Sequence, residues 1–202
     1  INSLDSANNS VGCDVTGTQY CKAATTNLHT HGLHVSSKGS DELTYSSDDA
    51  FVEVPSGGSK DYQYSIPGYH MGGTHWYHPH FHHSTALQAG GGAAGVLIVD
   101  DPPGYLPGAY SSMVEKILFI SGHNLVTLQE IAVDAQSSNG DAEILTNAVQ
   151  VAENQGLDTN VFLVNGQLGQ TMSIDSHVWH RLRMVYAAVE QTLTLSTTGD
   201  AT

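Results

Sequence analysis

Basic residues are scarce in this chain. Six Lys and Arg stand against 20 Asp and Glu over 202 residues, a formal net charge of −14. A surface so poor in cations argues against nucleic acid and anionic membranes as partners, because both are held through clustered Lys and Arg. It suits a solvated, secreted protein and attracts metal cations. Long apolar runs are absent too. None approaches the roughly 20 residues of a membrane-spanning helix. No signal-peptide pattern is visible, so a mature or trimmed chain is expected.

Cysteine is nearly missing. Cys13 and Cys21 are the two in the chain, set in a stretch rich in Gly, Thr and Asn. Their C-x7-C spacing is that of neither a zinc ribbon nor a thioredoxin-type redox pair. The expected arrangement is a disulfide closing a surface loop; the alternative is two free thiols in a reducing compartment. Asn8-Asn9-Ser10 makes Asn8 a glycosylation candidate. A disulfide and a glycan would both fit an extracellular or periplasmic location. Proline is sparse and unevenly placed: Pro102, Pro103 and Pro107 are three of the six. They mark residues 102–112 as a linker between a unit over 1–101 and another over 113–202.

What remains is a β pattern on an ordinary apolar content of 40%. Phe51–Pro55 reads as a short strand. Over Lys60–Pro67 the residues Tyr62, Tyr64 and Ile66 alternate with polar neighbours, which predicts a half-buried strand. Glu115–Ser121 opens a new strand after the linker. Residues 128–135 and 142–152 read as short helices. No repeat, coiled coil or low-complexity segment is present.

Against this scaffold stand the histidines. Five fall between residues 75 and 83, in Gly73-Thr74-His75-Trp76-Tyr77-His78-Pro79-His80-Phe81-His82-His83. Three more lie in His29-Thr30-His31-Gly32-Leu33-His34, and His70 lies between the clusters. Side chains at i and i+2 of a strand share a face. His29 and His31 therefore share one face, and His78 and His80 another. Two such pairs on facing strands gather four imidazoles around one small volume, and neutral imidazole suits copper, zinc, iron or nickel. A single H-x-H reads as a surface tract or a core pair, whereas two in a β-rich context favour a metal site. Pro79 cannot donate to a ladder, so the second pair sits on an edge or irregular strand.

These motifs carry a family resemblance. Thr26-Asn27-Leu28-His29-Thr30-His31-Gly32-Leu33-His34 resembles the first copper motif of the multicopper oxidases, the family of laccases and cuprous oxidases. Gly73–His80 resembles the second. Gly90–Asp100 resembles the strand that follows in the bacterial-type branch. Val161–Gln167 and His180–Val185 resemble the "VNGQ" and R-x-R strands of a second domain. The fold implied is all-β: a cupredoxin-like Greek-key sandwich over 1–101 with its N-terminal strands missing, then an incomplete second one over 113–202. By the same resemblance His29 matches the type 2 copper ligand, and His31, His78 and His80 match type 3 ligands. Trp76 and Tyr77 match aromatic positions beside the site. His34, His70 and His75 are expected at the surface or hydrogen-bonded to ligands, and His82 matches a non-ligand position. Two positions depart from the family pattern: His83 stands where glycine is common, and Tyr186 where asparagine is usual.

The resemblance implies eight histidines for a trinuclear cluster, and this chain matches four. It also implies a type 1 copper held by histidines and a cysteine, yet no His-Cys-His occurs. The expected function is thus the N-terminal part of a laccase-like multicopper oxidase. It would supply half the ligands of the cluster that reduces dioxygen to water. A reducing substrate (a phenol, Cu(I), Fe(II) or Mn(II)) would be oxidised at a type 1 copper not on this chain, and the fragment alone would be inactive. The remaining ligands would come from the rest of the parent chain or a neighbouring subunit. Two alternatives use the same residues. One is a non-enzymatic extracellular scaffold that keeps the cupredoxin fold, told apart by lacking copper. The other is a mononuclear zinc hydrolase, told apart by stoichiometric zinc.

Overall fold

A computed structural model of the chain describes residues 22, 24–37, 47–134, 141–189 and 191–196. Two sheets organise it. The first has three strands in the order β1 (His29–His31), β2 (Gly73–His78), β3 (Gly95–Val99), paired antiparallel throughout. The second has the order β6 (Gln167–Leu168), β5 (Asn160–Val164), β4 (Val114–Asn124), β7 (His180–Ala188). In it β4 runs antiparallel to β5 and parallel to β7. Helices α1 (Thr85–Gly90), α2 (Gly108–Ser111), α3 (Leu125–Asp134) and α4 (Asp141–Gln155) lie between strands. Strands dominate the framework, in keeping with the all-β expectation.

Local chemistry explains several boundaries. β2 stops at His78 because Pro79 follows and has no N–H to continue the ladder. Ser84, fully buried ahead of α1, hydrogen-bonds the Phe81 carbonyl. The Gly91-Gly92 turn, with Gly92 at φ 98°, then sends the chain back into β3. The Asn124 side chain accepts from Thr127 N at 3.0 Å and caps α3. Asn165 and Gly166 both have positive φ (49° and 76°) and join β5 to β6, as two-residue hairpins require.

Two expected strands are not strands. Over residues 51–55 and 60–67 the chain is irregular, with one bridge residue in each, Val54 and Tyr62. Val54 pairs across to Thr26. Each stretch ends at a proline, which removes the donor a longer ladder needs. Side chains in and just before these segments serve instead. Tyr62 Oη accepts from Leu28 N at 3.1 Å, and Asp48 Oδ1 accepts from Thr30 N at 2.7 Å. Both acceptors lie along β1, which is thereby held in register by groups outside its own sheet. The stretches read as helical, 128–135 and 142–152, correspond to α3 and α4, although residue 135 lies outside the described residues.

The sheets meet through an ionic network. Arg183, 7% exposed, makes two hydrogen bonds to Glu115, at 2.9 and 3.0 Å. Its Nη1 donates to Thr74 Oγ1 on β2 at 3.2 Å. Arg181 bridges Asp101, at 2.9 Å, and Glu115. His123 adds a second clasp: its Nδ1–H donates to the Gly90 carbonyl at 2.8 Å.

Candidate metal centre

The register of β1 on β2 builds the site. His29 lies opposite His78, and His31 opposite Trp76. Directly paired residues share a face, so His29, His31, Trp76 and His78 all project from one side of the sheet. Thr30, His75 and Tyr77 take the other. His80 lies past the end of β2 and is placed separately. Asn27, buried, accepts from His80 N at 2.6 Å while its amide donates to the Ala50 carbonyl at 2.7 Å.

The four imidazoles come together. From the His29 ring the centroids of His31, His80 and His78 lie at 4.6, 4.9 and 5.8 Å. The His31 and His78 rings are 5.0 Å apart and inclined by only 24°. Their Nε2 atoms face each other at 2.9 Å. Both rings stack on Trp76, at 4.3 and 4.6 Å. The indole is thus a floor on which the pair lies flat.

Hydrogen bonds fix the proton positions. His78 Nδ1 lies 2.7 Å from the Pro79 carbonyl, which can only accept, so Nδ1 carries the proton. The Nε2 of neutral His78 then bears a lone pair, and His31 Nε2–H donates to it. Burial pushes His78 down to about 4; its Pro79 bond opposes this, and the neighbouring His31, His29 and His80 add to it. Burial, and then His29 and His80, also lower His31, against a smaller opposing effect of Asp48. Both imidazoles are therefore neutral near pH 7, the form a metal takes.

His29 has a different partner. Its Nδ1 lies 3.1 Å from Asp48 Oδ2. The approach is close enough for an ion pair, but the angle is not that of a hydrogen bond, and this buried nitrogen has no hydrogen-bond partner. We take the pair as an electrostatic contact that leaves the nitrogen available. Asp48 is a site residue that sequence reasoning missed. It lies in a polar, turn-rich stretch where one carboxylate looks like another.

These residues fit a copper or similar ion as donors. Two ligands at about 2.0–2.1 Å from one ion stand about 3–4 Å apart, so the His31–His78 pair needs only to open slightly. Among the described residues, however, no group of three or more His, Cys, Asp or Glu is disposed to hold a metal ion. The four rings are gathered, but not as a metal cage.

The five other histidines between residues 34 and 83 divide into two sets. His34, His70 and His75 form a second cluster, with ring distances of 4.9 and 5.5 Å from His70 to the other two. His70 is saturated: Nδ1–H donates to the Met71 carbonyl at 2.7 Å, and Nε2 accepts from His34 N at 3.1 Å. His75 lies between Gly32 and Gly73, both of which leave room for its ring. Burial, then His70, lowers its pKa. His82 and His83 pair with each other at 6.3 Å. His83 adopts φ 70°, which explains why a glycine would suit that position. Cys13, Cys21 and Asn8 lie outside the described residues.

No curated protein matches the chain. Residues 9–104 match the sequence model of the family described as multicopper oxidase. That span contains both H-x-H pairs, Trp76, Asn27 and Asp48. The match supports a multicopper oxidase domain of cupredoxin-like fold over residues 9–104, a family that implies copper.

Proposed function

We propose that this domain supplies four ligands, His29, His31, His78 and His80, to a type 2/type 3 trinuclear copper cluster in a laccase-like multicopper oxidase. The observation that carries the reading is the pairing of β1 with β2, which sets two H-x-H motifs on one volume with two ring nitrogens 2.9 Å apart. Copper, when bound, supplies the one-electron redox chemistry by which the family reduces dioxygen to water.

The residues of this chain bind and orient. His78 offers its Nε2 lone pair, and His31 would offer its own once its proton moves from Nε2 to Nδ1, both from rings held nearly parallel by Trp76. His78 keeps its Nδ1 proton on the Pro79 carbonyl, so its lone pair stays on the ligand side. Asp48 places a carboxylate against His29 without occupying a proper hydrogen-bond direction. Asn27 fixes the backbone of His80. The burial of His78 and of Thr30 keeps bulk water from the strand pair. The remaining ligands and the type 1 copper belong to other parts of the protein or to a neighbouring subunit. The reducing substrate would be handled there, in an extracellular or periplasmic setting.

Copper titration of the full chain tests this, with metal content measured after gel filtration. The chain should retain copper, and replacing His31 or His78 with Ala should abolish retention while His82→Ala leaves it unchanged. Equal copper retention by all three variants would refute the assignment. Stoichiometric zinc retained in preference to copper would favour the hydrolase alternative.

A further inference from the structure

Beside the histidine cluster, where the two sheets meet, lies a cavity of about 300 Å³. β2 supplies Trp76 and His78 to its wall, α1 supplies Thr85 and Ala89, and β7 supplies Ala187 and Ala188. No Asp, Glu, Lys or Arg lines it. Its polar groups are already engaged. The Thr85 hydroxyl donates to the Phe81 carbonyl at 2.8 Å. His78 is engaged at Nδ1 by Pro79 and at Nε2 by His31. A water molecule held inside needs two to four polar partners, and this wall offers few.

The geometry points to a binding site for a small neutral aromatic molecule of one ring or two fused rings. Three features select that class. An apolar cavity of about 150 Å³ accepts benzene, and this one is larger. The absence of charged lining, with a net charge of −14 on the chain, disfavours anions and gives a cation no ion-pair partner. The Trp76 indole offers an aromatic surface, against which rings pack in offset or edge-on pairs. The occupant would touch His78 and so border the proposed copper ligands.

Fluorobenzene is the probe, followed by ¹⁹F NMR on the full, metal-free chain. Saturable binding is expected. Ala188→Leu and Ala89→Leu, which fill the cavity, should each weaken it at least tenfold, while Ala109→Leu on exposed α2 should not. Trp179→Phe leaves Trp76 as the sole tryptophan, and its emission should change along the same binding curve. That readout stands even if a filling variant fails to fold. Uptake that rises linearly without saturation, or Trp76 emission indifferent to the probe, would overturn the inference. So would unchanged affinity in folded filling variants. Because the chain is metal-free throughout, the result is independent of the copper assignment. Copper retention without fluorobenzene binding sinks only the cavity, and the converse sinks only the cluster.

Discussion

Gly32 lies against the imidazole of His75, so close that any β-carbon there would overlap Nδ1. Its φ of 88° is also one that residues with side chains avoid. The glycine that follows the first H-x-H pair thus gives the opposite face of β2 room for its own histidine. Gly32→Ala should destabilise the protein by about 2–3 kcal/mol, from left-handed strain plus displacement of the ring. Urea unfolding checks this. A loss below about 0.5 kcal/mol would mean that His75 moves freely.

Protonation of His78 should be visible in stability. Its pKa falls from 6.5 to about 4 on folding. The unfolded chain therefore binds the extra proton first as pH drops. Its contribution is fully present above about pH 6.5 and is lost as pH falls through about 4. Unfolding free energies between pH 7 and 4 should decline less steeply in His78→Gln than in the parent chain. Identical slopes would contradict the tautomer and burial assigned to this ring.

Arg183 holds the second sheet to β2. Arg183→Met removes its bonds to Glu115 and Thr74 and leaves Glu115 and Asp101 partly uncompensated. Both carboxylates retain solvent contact, at 32% and 18% exposure. The cost should be about 1–3 kcal/mol, below that of breaking a fully buried pair. Chemical denaturation gives the value. Limited proteolysis should also cut the 102–112 segment faster in the variant.

Asn27→Ala strips His80 N of its acceptor and Ala50 O of its donor. Losing such support around a metal ligand should weaken copper retention by about tenfold or more. A competition titration with a copper chelator reads this directly. Asn27→Asp keeps the acceptor and should recover most of the affinity.

The histidine pattern was legible because strand periodicity is simple. Residues at i and i+2 share a face, so two H-x-H pairs announce a volume between strands before any strand is seen. The residues that hold them were not legible. Asn27 and Asp48 act across long separations in sequence, through one side chain each, and a lone Asn or Asp carries no periodic signal. α1 escaped notice because six residues ending in Gly have no helical repeat to read. The strands expected at 51–55 and 60–67 failed for the converse reason. Their alternation was real, yet prolines cut short the ladder that alternation alone would suggest. His180–Val185 was readable as a strand, but the bond from Arg183 across to Thr74 was not.

One consequence follows from the way β1 is braced. Among the described strands it is the edge of its sheet, and an open edge invites pairing with another molecule's strand. Leu28 N and Thr30 N, two residues apart and so facing the same way, are already occupied by Tyr62 and Asp48. Side-chain acceptors therefore take the place that a foreign strand would fill. The contacts that set the first histidine pair in register also guard a short, imidazole-rich edge against self-association.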